Sequence, residues 1–248
     1  MEHASDVARY LDSAAYRLTK AEPKPAFGHG PFVTISREVG ADGHALAEAL
    51  LDALARRGGT AFEGWQVFDR ALFAMIAEEP RLKVSMRYLL DEEYHSRMTD
   101  YLEQTLGSWT PQDVLQAKIF RYARALAGAG KVIIVGRGAA CATADLAGGI
   151  HVRLVASLQR RLLALQRRTG LDEKRARKRL EELEEARRLL VRAHFGRDIS
   201  DPLLYDAVFN EDRLPTSEIA SWIAGEVEKK AHLLDHAAKR DSARTGNA

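Results

Sequence analysis

Apolar positions along this chain alternate between two periods. Short β-prone runs occupy residues 32–36, 131–135, 150–155 and 205–210, with a weaker one at 66–69. Between them lie stretches whose apolar residues recur every three or four positions, which predicts amphipathic helices. The first covers residues 4–18, where Val7, Tyr10, Leu11, Ala14, Ala15 and Leu18 form one stripe. Others are predicted over 42–56, 70–79 (ended by Pro80), 111–127 (opened by Pro111), 158–194 and 216–234, with a break at 169–172. Strands alternating with helices imply an α/β fold, a parallel sheet of about five strands with helices on both faces. Ligands of such sheets bind beyond the carboxyl ends of the strands.

The irregular stretches divide the chain. Three prolines and two glycines between Ala21 and Pro31 make a connector, so residues 1–31 read as an N-terminal helix and linker. That helix is expected to pack on the domain or to build a homodimer with a partner subunit. The domain proper spans 32–235, and the small polar residues of 236–248 read as a flexible tail. Residues 81–110 hold no sustained period.

Composition adds exclusions. Across 248 residues, 46% apolar and 29% charged, no run approaches the roughly 18 apolar residues of a membrane span. The first residues show no basic segment followed by an apolar core, so a cytoplasmic location is expected. Cys141 is the single cysteine and the eight histidines are scattered, which excludes an internal disulfide and predicts no metal centre. Net charge is only +2, but the window from Arg153 to Arg192 carries thirteen Lys/Arg against six Asp/Glu. Such a stretch draws an anionic ligand. It lacks the interleaved aromatics of a nucleic-acid surface, and its acids, Glu181, Glu182, Glu184 and Glu185, argue for helix pairing instead.

The turn after the first strand is the main chemical candidate. Residues 32–36 run into Arg37-Glu38-Val39-Gly40-Ala41-Asp42-Gly43-His44-Ala45, and a helix follows at once. Strand, glycine loop and helix are the parts of a phosphate-binding loop, whose amides and helix terminus cradle phosphate. The lysine and hydroxyl of the strict G-x-x-x-x-G-K-[ST] pattern are missing, since neither follows Gly43.

Four segments in order resemble the cytidylate kinase-like family, a branch of the P-loop nucleoside monophosphate kinases: Val33-Thr34-Ile35-Ser36-Arg37-Glu38, the glycine loop, Val135-Gly136-Arg137-Gly138, and Asp201-Pro202-Leu203-Leu204-Tyr205-Asp206. The resemblance covers about residues 32–225, weakly over 60–125. It implies a three-layer P-loop NTPase-type sheet, a helical acceptor-side region at 60–125 and a helical arginine-rich lid at 158–194. Set without gaps against a bacterial cytidylate kinase, Gly40 falls on the middle glycine of the loop, Gly43 on the lysine and Ala45 on the Ser/Thr. Family members often read S-R-E-x-G-S-G-G-R here, so the lost lysine is shared; Asp42 and His44 depart from that pattern.

The resemblance implies ATP, with Mg2+ carried by the nucleotide, and a small phosphate acceptor, CMP or dCMP in the family. Ser36, Arg37, Gly40, Ala41, Asp42, Gly43, His44 and Ala45, with Arg160 and Arg161 from the lid, would hold the nucleotide. Arg37, Arg137, Arg188 and Arg192 would stabilise the transferring phosphoryl group, Arg188 and Arg192 sharing one helix face four residues apart. Asp42 has a second reading as a helix N-cap, Arg37 as a brace to Glu38 or Asp69, and Arg137 as half of a structural ion pair. The expected function is γ-phosphoryl transfer from ATP to a nucleoside monophosphate or related acceptor. The alternative is a non-catalytic nucleotide-sensing or interaction module.

Overall fold

A computed structural model describes residues 9–11, 13, 30–69, 111–136 and 138–245. The helix expected at 70–79, the stretch 81–110, Arg137 and most of 4–18 and of the connector lie outside the described residues.

Five strands form one sheet: β1 (Phe32–Arg37), β2 (Gln66–Asp69), β3 (Val132–Val135), β4 (Gly149–Val155) and β5 (Ala207–Asn210). Their spatial order is β2-β3-β1-β4-β5 and every pairing is parallel. Among the described residues the helices after β1 are α1 (Gly43–Arg57), α2 (Pro111–Ala129), α3 (Ala139–Ala142), α4 (Leu158–Thr169), α5 (Glu173–Phe195) and α6 (Thr216–Thr245), with a 3-10 turn at Pro202–Leu204. This is the three-layer parallel α/β architecture expected from the sequence.

Strand alternation sorts the two faces. Val33, Ile35, Ile133, Val135, Ile150, Val152 and Leu154 point to one side, where they form a single buried cluster with Leu46, Leu50 and Leu54 of α1 and Ile219, Ile223 and Val227 of α6. On the other side Phe32, Phe68, Val132 and Ile134 meet Leu126 of α2. The same side becomes polar beneath β1 and β4. Thr34, Ser36 and Arg153 are buried there, and Thr34 Oγ1 lies 2.8 Å from His151 Nδ1. Arg153 donates to the Ile199 carbonyl at 2.7 Å, and Tyr205 Oη donates to that carbonyl at 2.9 Å. Asp201 caps the 3-10 turn through Leu203 N–H and Asp206 accepts from His151 N–H. The Asp201 to Asp206 segment thus carries structural bonds that hold the approach to β5.

Tyr10 and Leu11 of the first helix are buried in the α2-side cluster, and Tyr10 Oη donates to the Gly130 carbonyl at 2.7 Å. These two residues pack on the chain's own domain.

One boundary needs correction. The last helix continues through Thr245, well past Leu234, so most of the segment read as a flexible tail at 236–248 is helical. Residues 235–245 contain neither glycine nor proline, and the first such stop is Gly246. Small polar composition alone did not break the helix.

Candidate functional site

The loop between β1 and α1 lies at the carboxyl end of the central strand. Asp42 N-caps α1, its carboxylate accepting from Ala45 N–H at 3.0 Å, as its second reading held. The loop is tightly wound: Ala41 N–H donates to the Glu38 carbonyl and Gly43 N–H to the Ala41 carbonyl, both at 3.2 Å. Asp42 N–H is shared between the two oxygens of Glu211, at 3.2 and 3.3 Å. Glu211 is buried just beyond β5, and that burial pushes its carboxyl above its ordinary range, partly offset by the Asp42 amide and the charge of Arg160.

Gly43 stands where the strict pattern has lysine, and the Arg37 side chain packs against it. A Cβ built there would meet Arg37 Cδ at 3.0 Å and Arg37 Nε at 3.2 Å. The Arg37 side chain therefore lies across the glycine, in space that a lysine stem would need. His44, at the family's arginine position, is exposed and pairs with Asp69 at the end of β2, 3.5 Å from Nε2 to Oδ2. Asp69, one of the two carboxylates considered as a brace for Arg37, thus also pairs with His44. Ser36 is buried beneath the loop, and Ala45 lies in the first turn of α1.

The lid meets the loop through a charged junction. Arg161 of α4 donates from Nη1 to Glu184 of α5 at 3.0 Å and from Nε to the Ala156 carbonyl at 3.1 Å, with Glu38 Oε2 3.3 Å away. Glu38 Oε2 also accepts from Ala156 N–H at 3.1 Å. Val39 N–H donates to the same Glu184 oxygen at 2.5 Å. Beneath these bonds, Val39 packs with Leu162, Leu165, Ala176 and Leu180 of the two lid helices. Gly40 is required twice over: its φ is +94°, and a Cβ there would lie 2.7 Å from Arg161 Cα.

The predicted arginines divide between two environments. Arg161 is only 14% exposed in its side chain and faces the loop. Arg160, Arg188 and Arg192 face solvent, with Arg188 paired to Glu185. Arg187, beside the expected Arg188, reaches the loop instead and donates to the Arg37 carbonyl at 2.9 Å. Arg137 is outside the described residues. Sequence reasoning missed Glu184 and Glu211 as site groups. A signal for Glu184 existed: it shares with Leu180, Arg187 and Val191 one helical stripe whose apolar members are buried.

Two features bear on other chemistries. Among the described residues no three His, Cys, Asp or Glu side chains group as a metal site. A separate cleft of about 560 Å³, lined in part by Cys141, His151, His194, Arg197 and Tyr205, opens away from the loop, beside the start of β4 and the approach to β5. Burial pushes the Cys141 thiol up to about 11, against the pull of Arg197, which suits a structural thiol. Among the described residues no helix is long and apolar enough to cross a membrane.

Comparison with known proteins agrees with this architecture. An uncharacterized protein from Eubacterium ventriosum superposes with a TM-score of 0.62 at 16% identity, over 80% of this chain and 98% of that one. A shikimate kinase from Bacteroides thetaiotaomicron aligns over the same shares at 15% identity, with a TM-score of 0.41, too distant to bear on function. No curated protein matches the chain. The profile of the cytidylate kinase-like family matches residues 32–213, the span that holds the sheet, the loop and the arginine-rich lid, and the chain belongs to that family.

Proposed function

We propose that this protein is a nucleotide-dependent phosphotransferase that moves the γ-phosphoryl group of ATP to a nucleoside monophosphate, CMP or dCMP by family, or to a related small acceptor. The observation that carries the reading is Arg37 lying across Gly43. The loop has lost its lysine, but the arginine that ends β1 crosses the same position, and a guanidinium can bind phosphate with several donors at once. Phosphoryl transfer asks the protein mainly to align the reactants and offset charge. In this reading Arg37 holds the phosphate chain from the loop, Arg137 meets the acceptor, and Arg160, Arg188 and Arg192 close from the lid. Magnesium would enter with the nucleotide. Ala45 offers it no hydroxyl, so phosphate oxygens and water would supply most of its ligands. A cytoplasmic location goes with this role, and a homodimer would have to use surface other than the buried Tyr10 and Leu11.

A second reading has its own support. The amides of Ala41, Asp42, Gly43 and Ala45 already have partners within the protein, so the loop as folded leaves few donors turned to a phosphate. That favours a non-catalytic module that senses nucleotide by rearranging. Incubation with Mg-ATP and each of CMP, dCMP, UMP, AMP and GMP decides between them. ADP formation that depends on one acceptor supports transfer, with Arg37→Ala expected to lower it by about 100-fold or more. Calorimetric nucleotide binding without turnover for any acceptor would make the sensing module the better account.

A further inference from the structure

We propose that Glu184 is an internal competitor for the loop's anion site: its carboxylate latches the lid onto the loop in the nucleotide-free protein, and an arriving phosphate displaces it. This rests on the reading that the loop is where phosphate binds. The geometry is specific. One oxygen of Glu184 takes a backbone N–H of the loop, from Val39 at 2.5 Å, and a guanidinium N–H, from Arg161 at 3.0 Å. A backbone amide with an arginine is the donor pair that a phosphate oxygen seeks at such a loop. The carboxylate therefore fills with the protein's own charge the place an outside anion would take.

The latch joins three elements. Glu184 belongs to α5, Arg161 to α4 and Val39 to the loop, and Arg161 also contacts Glu38 at 3.3 Å. Val39 is buried among Leu162, Leu165, Ala176 and Leu180, so lid and loop also share an apolar contact. Displacing Glu184 frees Arg161 to turn from carboxylate to phosphate while this contact keeps the helices near. The apparent affinity for nucleotide is then the intrinsic one reduced by the fraction of molecules already unlatched.

The test compares wild type with Glu184→Gln, Glu184→Ala and Glu181→Gln, the last an exposed change of equal charge on the same helix. Binding of Mg-ADP is measured by calorimetry, and lid release by the rate of tryptic cleavage within residues 174–179 in nucleotide-free protein. Glu184→Ala and Glu184→Gln are expected to bind about three- to tenfold more tightly than wild type, the size of one ordinary hydrogen bond net of solvent compensation. Glu184→Ala is also expected to be cleaved faster, and Glu181→Gln to behave as wild type. If every protein binds Mg-ADP with the same affinity, or Glu184→Ala binds more weakly, the latch is overturned and the nucleotide reading stands. Absence of binding by all four proteins, each folded by circular dichroism, would overturn the nucleotide reading and the latch with it.

Discussion

The two sides of the sheet are built on different principles. Toward α1 and α6, apolar side chains from β1, β3 and β4 close into one continuous cluster. Toward α5, the layer beneath β1 and β4 is polar: Thr34, Ser36, His151 and Arg153 lie there, Thr34 bonded to His151 and Arg153 to the Ile199 carbonyl, and α5 reaches the loop through Glu184 and Arg187, with Arg161 of α4 joining at Glu184. Apolar burial is non-directional and grows with area, so the first side resists opening as a unit. Directional charged bonds can be exchanged one for one with a ligand's charges. The difference separates the part that must stay shut from the part that can respond.

The largest expected effect lies on the apolar side. Leu50 is fully buried between α1 and the sheet, and Leu50→Ala should cost about 2–5 kcal/mol of stability in a denaturant titration. A cost near that of a surface change would abolish the contrast. Next comes the junction. Arg161→Ala leaves the Glu38 and Glu184 carboxylates without their shared guanidinium and should cost about 1.5–3 kcal/mol, with the loss concentrated in amide exchange of α4 and α5 while the protection of β1 and β3 is retained. Uniform loss of protection would show that the lid is part of the same cooperative unit as the core.

The polar layer should also be the pH-sensitive one. Burial holds the His151 imidazole below its ordinary pKa, with Asp206 pulling the other way and Lys230 adding to the depression. A depressed folded pKa means that the unfolded chain takes up the proton first. The stability contribution is therefore full above the unfolded value of about 6.5 and is lost as pH falls through the folded pKa. Denaturant midpoints between pH 8 and pH 5 should fall more steeply for wild type than for His151→Gln, and parallel profiles would remove His151 as the cause. The smallest effect is expected at Arg188→Ala, where an exposed pair with Glu185 is lost: stability within about 0.5 kcal/mol of wild type, with any change appearing in phosphate affinity alone.

Apolar period placed all five strands within about two residues of their observed bounds and found the break between α4 and α5. Gly170 and Asp172 there act as C-cap and N-cap, both local signals. The four-residue α3 and the 3-10 turn at Pro202–Leu204 are too short to show a period. The site was legible only in part. Asp42 as a cap needs a partner three residues on, and its sequence context shows that. Glu184 and Glu211 bond to loop amides 145 and 169 residues away, and such pairings leave no mark on either neighbourhood. Arg187 rather than Arg188 turns inward because the buried stripe through Leu180 and Val191 sets the rotation of α5, a detail that counting arginines does not capture.

Tyr10 carries a practical consequence. The family match begins at residue 32, yet Tyr10 and Leu11 lie in the core beside Phe68 and Leu126, and the Tyr10 ring meets Phe68 edge-on at 5.5 Å. The span recognisable by descent is therefore shorter than the span that folds. A fragment cut to the matched residues would uncover an aromatic surface next to the outermost strand β2, where sheets are prone to pair with one another. Expression from residue 32 should give clumped protein, however faithful its sheet, loop and lid.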